Sequence, residues 1–295
     1  MKSGFVSIVG RPNVGKSTLV NELIKNKVAI TSDKVGTTRN VIYGIYNDEE
    51  SQIVFVDTPG ITSKVNNKLG TVLNKKAYLS FENDIVLFLI DIASGFGKTD
   101  QKILERLKKE NKKVILVLNK VDKIRKEDLF LHILKLKDLY DFLDIVPVSG
   151  LKGTNTKELI KVIKKHLPDD IKYFSDEELT NIDEKFMIGE LIREKVLNLT
   201  KEEVPHSVTC LVESIKFSKG KADINALIIV DRDNLKKIII GKNGSMLKKI
   251  GSLARVDIEK LLGLKVYLEL YVKTVKDWKN KENLFEYLKI TEKDL

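Results

Sequence analysis

One motif near the start of the chain constrains its fold more than any other feature. It matches the spacing G-x4-G-K-S/T and consists of Gly10-Arg11-Pro12-Asn13-Val14-Gly15-Lys16-Ser17. The apolar run Phe5–Val9 predicts a strand directly before it, and the pattern after it predicts a helix. Glycines let backbone N–H groups close around phosphate oxygens, and a helix N-terminus adds partial positive charge. The sequence therefore predicts a phosphate-binding loop, with Lys16 on the terminal phosphates and Ser17 on Mg²⁺.

Short apolar runs rich in β-formers alternate with helical patterns up to about residue 165. This alternation is typical of an α/β fold with a mostly parallel sheet and helices on both faces. Open α/β sheets bind ligands at the carboxyl ends of their strands, and polar residues follow each apolar run there. We predict a nucleotide-binding domain over residues 1–168. Its further strands are predicted at Ile53–Val56, Ile85–Ile90, Val114–Leu118 and Ile145–Val148.

Two tetrapeptides at predicted strand ends indicate which nucleotide binds. In Asp57-Thr58-Pro59-Gly60, Asp57 is expected to hold Mg²⁺ through water and the Gly60 amide to face a γ-phosphate. In Asn119-Lys120-Val121-Asp122, a carboxylate can accept two hydrogen bonds from guanine that adenine does not offer. These motifs in this order predict a GTPase. A P-loop ATPase or kinase is the rival class, and ATP competing equally with GTP would favour it.

A smaller domain is predicted after a change of pattern. A helix ends near His166, and a proline followed by acidic residues indicates a linker over 169–182. Residues 183–295 then show the order α-β-β-α-α-β of a smaller α+β domain, with a helix at the C-terminal end. Its G-x-x-G turn lies between two helices, the arrangement by which KH domains clamp single-stranded RNA. The expected RNA contacts are Ile240, Gly241, Lys242, Asn243, Gly244, Lys248 and Lys249.

Charge agrees with a polyanionic partner but does not identify one. The chain carries 52 Lys and Arg against 42 Asp and Glu, a net charge of +10. Residues 201–295 hold 19 basic and 14 acidic side chains, and residues 1–200 hold 33 and 28. The net charge of +5 is thus about twice as dense in the C-terminal part. An excess of basic residues affects solubility and nonspecific binding, but it does not identify the partner. The G-x-x-G motif is therefore what makes RNA the favoured partner.

With these motifs the chain resembles the Era family of bacterial ribosome-assembly GTPases over nearly its whole length. GRPNVGKS, DTPG and NKVD stand where that family has its motifs, as does GTTRN at residues 36–40. The resemblance implies a KH domain of type II order, binding of 16S rRNA near its 3′ end and a role in assembly of the 30S subunit. It also implies that Thr37 or Thr38 closes on Mg²⁺ and the γ-phosphate, and Thr38 is favoured.

These motifs assign tasks to individual residues. Ser17, Thr38 and Asp57 are the expected Mg²⁺ ligands, and Lys16, Thr38, Asp57 and Gly60 are the expected catalytic groups. GTP and GDP are the expected cofactors with Mg²⁺. The GTP contacts are expected at residues 10–18 (the motif Gly10–Ser17, and Thr18), 57–61 (Asp57, Thr58, Pro59, Gly60 and Ile61), 119–122 (Asn119, Lys120, Val121 and Asp122), Ser149 and Gly150.

Three positions leave alternatives open. Ser149-Gly150 stands where Era-like proteins commonly have Ser-Ala, so the backbone contact to guanine O6 can differ. Ile61 follows DTPG, and its side chain cannot orient water as a glutamine does. Either hydrolysis is slow and depends on a bound cation or on RNA, or Ile61 simply packs in its loop. Asn13 is either a K⁺ ligand, as in related GTPases, or a hydrogen-bonding residue of its turn.

The expected location is the cytoplasm. The N-terminal sequence lacks a signal-peptide pattern, and the single cysteine, Cys210, cannot form an internal disulfide. We expect a monomer, and the basic surface leaves open a peripheral contact with the inner face of the membrane. A scaffold with structural GTP is the second rival class. Trp278 is expected to anchor the terminal helix, with base stacking as the alternative.

Overall fold

The computed structural model describes residues 1–62, 65 and 67–290, except the side chains of residues 286 and 287. The first part forms a six-stranded sheet of order β2-β3-β1-β4-β5-β6. All its neighbouring strands are parallel except β2, which pairs antiparallel with β3. The strands are β1 (Lys2–Val9), β2 (Ile42–Asn47), β3 (Ser51–Asp57), β4 (Ile85–Asp91), β5 (Val114–Asn119) and β6 (Asp144–Val148), and the helices are α1 (Lys16–Ile24), α2 (Lys68–Leu79), α3 (Lys98–Lys109), α4 (Lys126–Leu136) and α5 (Thr156–His166).

Burial explains why the apolar runs form central strands. Every residue of β3 and β5 is buried, as expected for strands covered by helices on both faces. One apolar layer packs under α1 and α5 and the other under α3, on opposite faces of the sheet. The predicted mostly parallel α/β fold is confirmed. Strand β2 was not predicted from the sequence; it is a short strand at the sheet edge that reaches β3 through a tight turn without an intervening helix.

The C-terminal part forms a three-stranded sheet of order β7-β8-β9. β7 and β8 are antiparallel, and β8 and β9 are parallel. The helices α6 and α8 pack on one face, and their apolar residues share one core with the alternating residues of the strands. The predicted smaller domain with the order α-β-β-α-α-β is confirmed. Its elements are α6 (Glu184–Leu199), β7 (Val208–Ser218), β8 (Lys221–Val230), α7 (Asp233–Ile240), α8 (Ser245–Leu262), β9 (Lys265–Thr274) and the C-terminal α9 (Glu282–Tyr287).

The segment between α5 and α6 runs in extended form along the edge of the first sheet. Gln52 in β3 binds it from both sides, since its Oε1 accepts from Tyr173 N at 2.7 Å and its Nε2 donates to Phe174 O at 2.8 Å. Ile45 N donates to Leu179 O at 3.0 Å. The linker is thus fixed to the first domain over much of its length. The predicted bounds 1–168, 169–182 and 183–295 stay predictions, and residues 291–295 lie outside the described residues.

Trp278 is fully buried beside α9. Its Nε1 donates to Ser207 O at 3.0 Å, and its ring packs in a cluster with Phe285, Leu288 and Ile290. In this position the indole anchors the C-terminal segment and is not available for stacking on a base. No helix within the described residues has the length and apolar character needed to span a membrane.

Candidate nucleotide site and RNA-binding turn

The predicted phosphate loop connects β1 to α1, and its glycines are required by close contacts. Gly15 has φ of 99°, and a Cβ there would lie 2.4 Å from Asn119 Nδ2. A Cβ on Gly10 would lie 2.5 Å from Leu89 O. The buried Lys16 Nζ donates to Gly10 O at 3.2 Å and to Arg11 O at 3.1 Å. Burial lowers the pKa of Lys16 to about 8, although Asp57 opposes the shift. A buried ammonium that binds only carbonyls and faces a carboxylate suits a site for an anion such as a phosphate.

The three expected Mg²⁺ ligands come together. Ser17 Oγ donates to Asp57 Oδ2 at 2.6 Å and lies 2.8 Å from Thr38 Oγ1. Asp57 is fully buried, and its Oδ1 has no hydrogen-bond partner among the described residues. Burial raises the pKa of Asp57 to about 6, although Lys16 and the hydroxyls of Ser17 and Thr38 oppose the shift. Two hydroxyls and an unsatisfied buried carboxylate form an oxygen donor set that fits a hard cation such as Mg²⁺.

Thr37, the alternative to Thr38, has a different environment. Its Oγ1 donates to Lys34 O at 2.7 Å within its own loop, whereas Thr38 Oγ1 reaches Ser17. Thr38, and not Thr37, thus lies beside Ser17, and its role as a metal ligand stays a prediction.

The two loops expected around guanine are joined by Asn119. Its Nδ2 donates to Val14 O at 2.8 Å, and its Oδ1 accepts from Gly150 N at 2.9 Å. Ser149 Oγ donates to Asp122 Oδ1 at 2.5 Å. Lys120 Nζ donates to Asn13 O and to Asp91 Oδ2, both at 2.7 Å, so its stem crosses between the loops. The four segments predicted from sequence thus lie side by side at the carboxyl ends of the strands.

Some predicted site residues turn their side chains away from the nucleotide position. Thr58 Oγ1 donates to Ile8 O at 2.9 Å, and Val14 is buried in the core under α1. Ile61 is 3% exposed and packs in the core under α3, while its N–H donates to Gly10 O at 3.2 Å. Arg11 Nη2 donates to Gly95 O at 3.0 Å, away from the loop. These four can contribute backbone contacts, and their side chains stabilise the loops.

Residues before Thr37 line the site although, apart from Gly36 of GTTRN, they belong to no motif. A cavity of about 60 Å³ is bounded by the phosphate loop, by Thr38 and by Gly60. A Cβ on Gly60 would lie 2.8 Å from Pro12 N, which shows how closely the two loops approach. Asn13 Nδ2 donates to Asp33 O at 2.6 Å. The lining residues that were not predicted from sequence are Ile30, Thr31, Ser32 and Gly36.

The G-x-x-G turn joins α7 to α8 as predicted from its flanking helical patterns. Gly241 has φ of 72°, Asn243 of 51° and Gly244 of 75°. A Cβ on Gly241 would lie 2.8 Å from Met246 Cβ, whereas nothing lies within 4 Å of one on Gly244. Lys242 and Asn243 are exposed at the tip of the turn, and Ile240 is half-buried at the end of α7. The turn therefore presents an open backbone surface that a nucleic-acid strand can approach.

A groove of about 380 Å³ runs from this turn along α8 to β9. Gly244 and Lys248 line its near end, and Arg255 and the 64% exposed Tyr267 lie farther along it. Lys249 is exposed on the same helix. Positive charge beside an aromatic ring and a glycine turn suits a strand with stacked bases. Tyr267 was not predicted from sequence, because alternation places it on the outer face of β9 without indicating this groove.

The comparisons with known proteins agree with both sites. Residues 5–120 match the family described as 50S ribosome-binding GTPase, and residues 203–279 match the KH domain. A crystal structure of a variant of Aquifex aeolicus Era bound to GDP·AlF4⁻ is 42% identical and covers 99% of this chain and 100% of that one, with a TM-score of 0.95. An Era structure in complex with MgGDPNP and nucleotides 1506–1542 of 16S ribosomal RNA is also 42% identical, covers 99% of both chains and has a TM-score of 0.96.

The chain belongs to the Era family of GTPases. Identity of 42% over 99% of the chain includes both domains and the linker, so the Era arrangement applies to the whole length. The resemblance drawn from sequence motifs is confirmed, as are the GTPase class and the KH domain. The roles of individual Era-type site residues stay predictions that the geometry supports.

Proposed function

We propose that this chain is a GTP-hydrolysing switch that binds the 3′ region of 16S rRNA through its KH domain and assists assembly of the 30S subunit. The observation that carries the proposal is its match over 99% of both chains to Era holding MgGDPNP and nucleotides 1506–1542 of 16S ribosomal RNA. The described residues provide a donor set for Mg²⁺ and an open G-x-x-G turn in one molecule. GTP and GDP with Mg²⁺ are the proposed ligands.

Each group of the nucleotide site has a proposed task. Lys16 exchanges its two carbonyl partners for phosphate oxygens, which restores an anionic partner to a buried ammonium. Ser17, Thr38 and Asp57 hold Mg²⁺, which neutralises charge on the phosphates when it is bound. The Gly60 N–H faces the γ-phosphate position. Asp122 accepts the two guanine donors, and Ser149 and Asn119 hold its loop in place.

Ile61, the residue after Gly60, is buried in the core and presents no polar group that could orient water as a glutamine does. We propose that intrinsic hydrolysis is slow and that RNA or a monovalent cation accelerates it. Asn13 donates to Asp33 O, so its role in the turn is supported more directly than K⁺ ligation. Turnover by the purified protein that is rapid and indifferent to RNA and to K⁺ against Na⁺ would contradict this part of the proposal.

The test of function is crosslinking of 16S rRNA fragments to the full chain with GDPNP and with GDP. We expect label in a single-stranded 3′ segment, stronger with GDPNP, and none with a fragment of the same composition in scrambled order. Equal labelling of both fragments would show that RNA binds only through nonspecific attraction between charges, and this would contradict the proposed rRNA target. Displacement of GDP by ATP at a comparable concentration would contradict the proposed guanine site. A monomeric state, a cytoplasmic location and an optional peripheral membrane contact belong to the same proposal.

A further inference from the structure

Residues 31–40, which include Thr37 and Thr38 and are called the first switch below, make most of their contacts outside the segment with the second domain. Its backbone bonds to α6 at two places, because Thr31 N donates to Glu194 Oε1 at 3.0 Å and Thr37 O accepts from Arg193 Nη2. Two neighbouring residues of one helix thus hold both ends of the segment 31–37. Ile30, just before it, packs in the core of the second domain. The position of this segment over the phosphate loop therefore depends on where α6 lies.

The residues after Thr38 are held in the same way. Arg39 Nη1 donates to Val208 O at 2.8 Å, and its guanidinium lies 5.4 Å from the centre of the Trp278 ring. Asn40 Nδ2 donates to Lys289 O at 2.6 Å. Thr38 itself is the residue that turns the other way, toward Ser17. The first switch thus contacts the second domain at both of its ends, and it contacts the phosphate loop at Asp33, which accepts from Asn13, and α1 at Thr38.

Arg193 has a geometry suited to holding this segment. Its side chain is fully buried, and Glu190 orients it through two bonds, from Nε to Oε1 at 2.7 Å and from Nη2 to Oε2 at 2.5 Å. A planar guanidinium fixed by a carboxylate on one edge has donors in fixed directions, which a flexible ammonium lacks. The remaining nitrogen, Nη1, is buried without a partner among the described residues. Burying a charged guanidinium with one unpartnered nitrogen costs free energy, so the packing of α6 does not by itself explain why an arginine stands at position 193.

We propose that Arg193 is a positioning residue for the γ-phosphate and Mg²⁺ site. By binding the Thr37 carbonyl it fixes the adjoining peptide and so keeps Thr38 against Ser17. The inference rests on the proposed GTPase function, which it deepens by assigning part of the GTP site to the second domain. A ligand that moves α6 then changes the affinity for GTP, and GTP changes the affinity for that ligand by the same factor.

The test compares GDP and GDPNP binding by the full chain carrying Arg193→Lys. Lysine keeps the charge beside Glu190 but cannot bind the carboxylate by two donors and reach Thr37 in a fixed direction. We expect about a tenfold loss of GDPNP affinity with GDP affinity unchanged, in the usual range for coupling between sites. We also expect a higher Mg²⁺ concentration for half-maximal turnover, because Thr38 acts only on the metal and the γ-phosphate.

Two controls separate positioning from stability. Lys185 lies on the same helix and donates to Glu213 O, and Lys185→Gln removes its charge. Ile188 is fully buried on α6, and Ile188→Val perturbs the packing of that helix. Both are expected to keep the ratio of GDPNP to GDP affinity. If Arg193→Lys does not fold, Glu190→Gln weakens the same support with a smaller change and is expected to lower the ratio as well.

An unchanged ratio in a folded Arg193→Lys or Glu190→Gln protein would overturn the inference, as would an equal loss of both affinities. Either result leaves the proposed function intact, since the wild-type chain still binds both nucleotides. A wild-type chain that binds no guanine nucleotide would overturn the proposed function and this inference with it.

Discussion

Ser149 Oγ lies 2.5 Å from Asp122 Oδ1, although the two residues belong to loops that follow different strands. The hydroxyl donates to one carboxylate oxygen and leaves the rest of the carboxylate free to accept. Asn119 joins the same two loops through its bond from Gly150 N. The carboxylate proposed to accept from the base is thus oriented by its neighbours, which reduces the ordering that nucleotide binding would require.

Asp122→Asn is expected to change base selection. The amide offers a donor and an acceptor where the carboxylate offers two acceptors, so it pairs with the N1–H and C2 carbonyl of xanthine and not with guanine. We expect GDP affinity to fall by about 100-fold or more, because one bond to guanine loses its charge and the amide donor then faces the guanine amino group, and we expect xanthosine diphosphate to bind better than GDP. Competition with a fluorescent nucleotide measures this. The surface variant Asp128→Asn should keep GDP preference, and retention of that preference by Asp122→Asn would place the guanine contact elsewhere.

Gly244→Asp is expected to weaken RNA binding by about tenfold or more, because a carboxylate at the turn repels a phosphate and blocks its approach. Gly220→Asp is a matched control. Gly220 lies in the β7–β8 hairpin with φ of 78° and, like Gly244, would have nothing within 4 Å of an added Cβ. Backbone strain is therefore similar in the two variants. Filter binding of a 16S rRNA 3′ fragment should separate them, and equal affinities would show that the turn does not touch RNA.

Lys248→Gln is expected to reduce the salt dependence of RNA binding. Removing one lysine that neutralises a phosphate of a single strand should lower the slope of log K against log salt by about 0.7. Lys260→Gln removes an exposed charge at the far end of α8 and should leave the slope unchanged. Titrations across several KCl concentrations give both slopes. The same slope for both variants would place the phosphate track away from the start of α8.

Cys210 is expected to resist alkylation in the folded protein. Burial raises the pKa of its thiol to about 12, despite the opposing effect of Arg193. The pKa of the thiol is 9.0 in the unfolded chain and about 12 in the folded one, so the folded state favours the neutral thiol. This contribution to stability is fully present below pH 9.0 and is lost as the pH rises through about 12. Iodoacetamide at about pH 8 should label Cys210 only after unfolding in urea, as read by mass spectrometry. Cys210 lines a cavity together with Arg39 and Asn40 of the first domain, so rapid labelling of the folded chain would show that the contact between the domains opens.

Ile61→Gln is expected to destabilise the protein without accelerating hydrolysis. Ile61 is 3% exposed in the core under α3, so an amide there loses about 1–3 kcal/mol of unfolding free energy and does not reach the phosphates. Ile61→Val keeps an apolar side chain and should cost at most about 1.5 kcal/mol. Urea unfolding and single-turnover hydrolysis measure the two effects. Faster hydrolysis by Ile61→Gln would show that this side chain can enter the site.

The nucleotide motifs were predictable because each is short and continuous and follows a buried strand. Once the strands are parallel, their carboxyl ends meet at one edge, so Lys16, Asp57 and Asp122 must lie near one another. The G-x-x-G turn was predictable for a similar reason, since its glycines lie between two helical patterns. The edge strand β2 was missed because a six-residue run beside a turn carries little periodicity.

The sequence by itself determined the fold class, the order of elements in the second domain and the loops that meet at the nucleotide position, because local patterning and strand polarity settle these. Only the tertiary structure decided how the domains meet. Arg193 lies 156 positions from Thr37 and Asn40 lies 249 from Lys289, and no periodicity or motif relates residues so far apart in sequence. Their contacts follow from packing two folded domains against each other, and that packing holds the first switch over its phosphate loop.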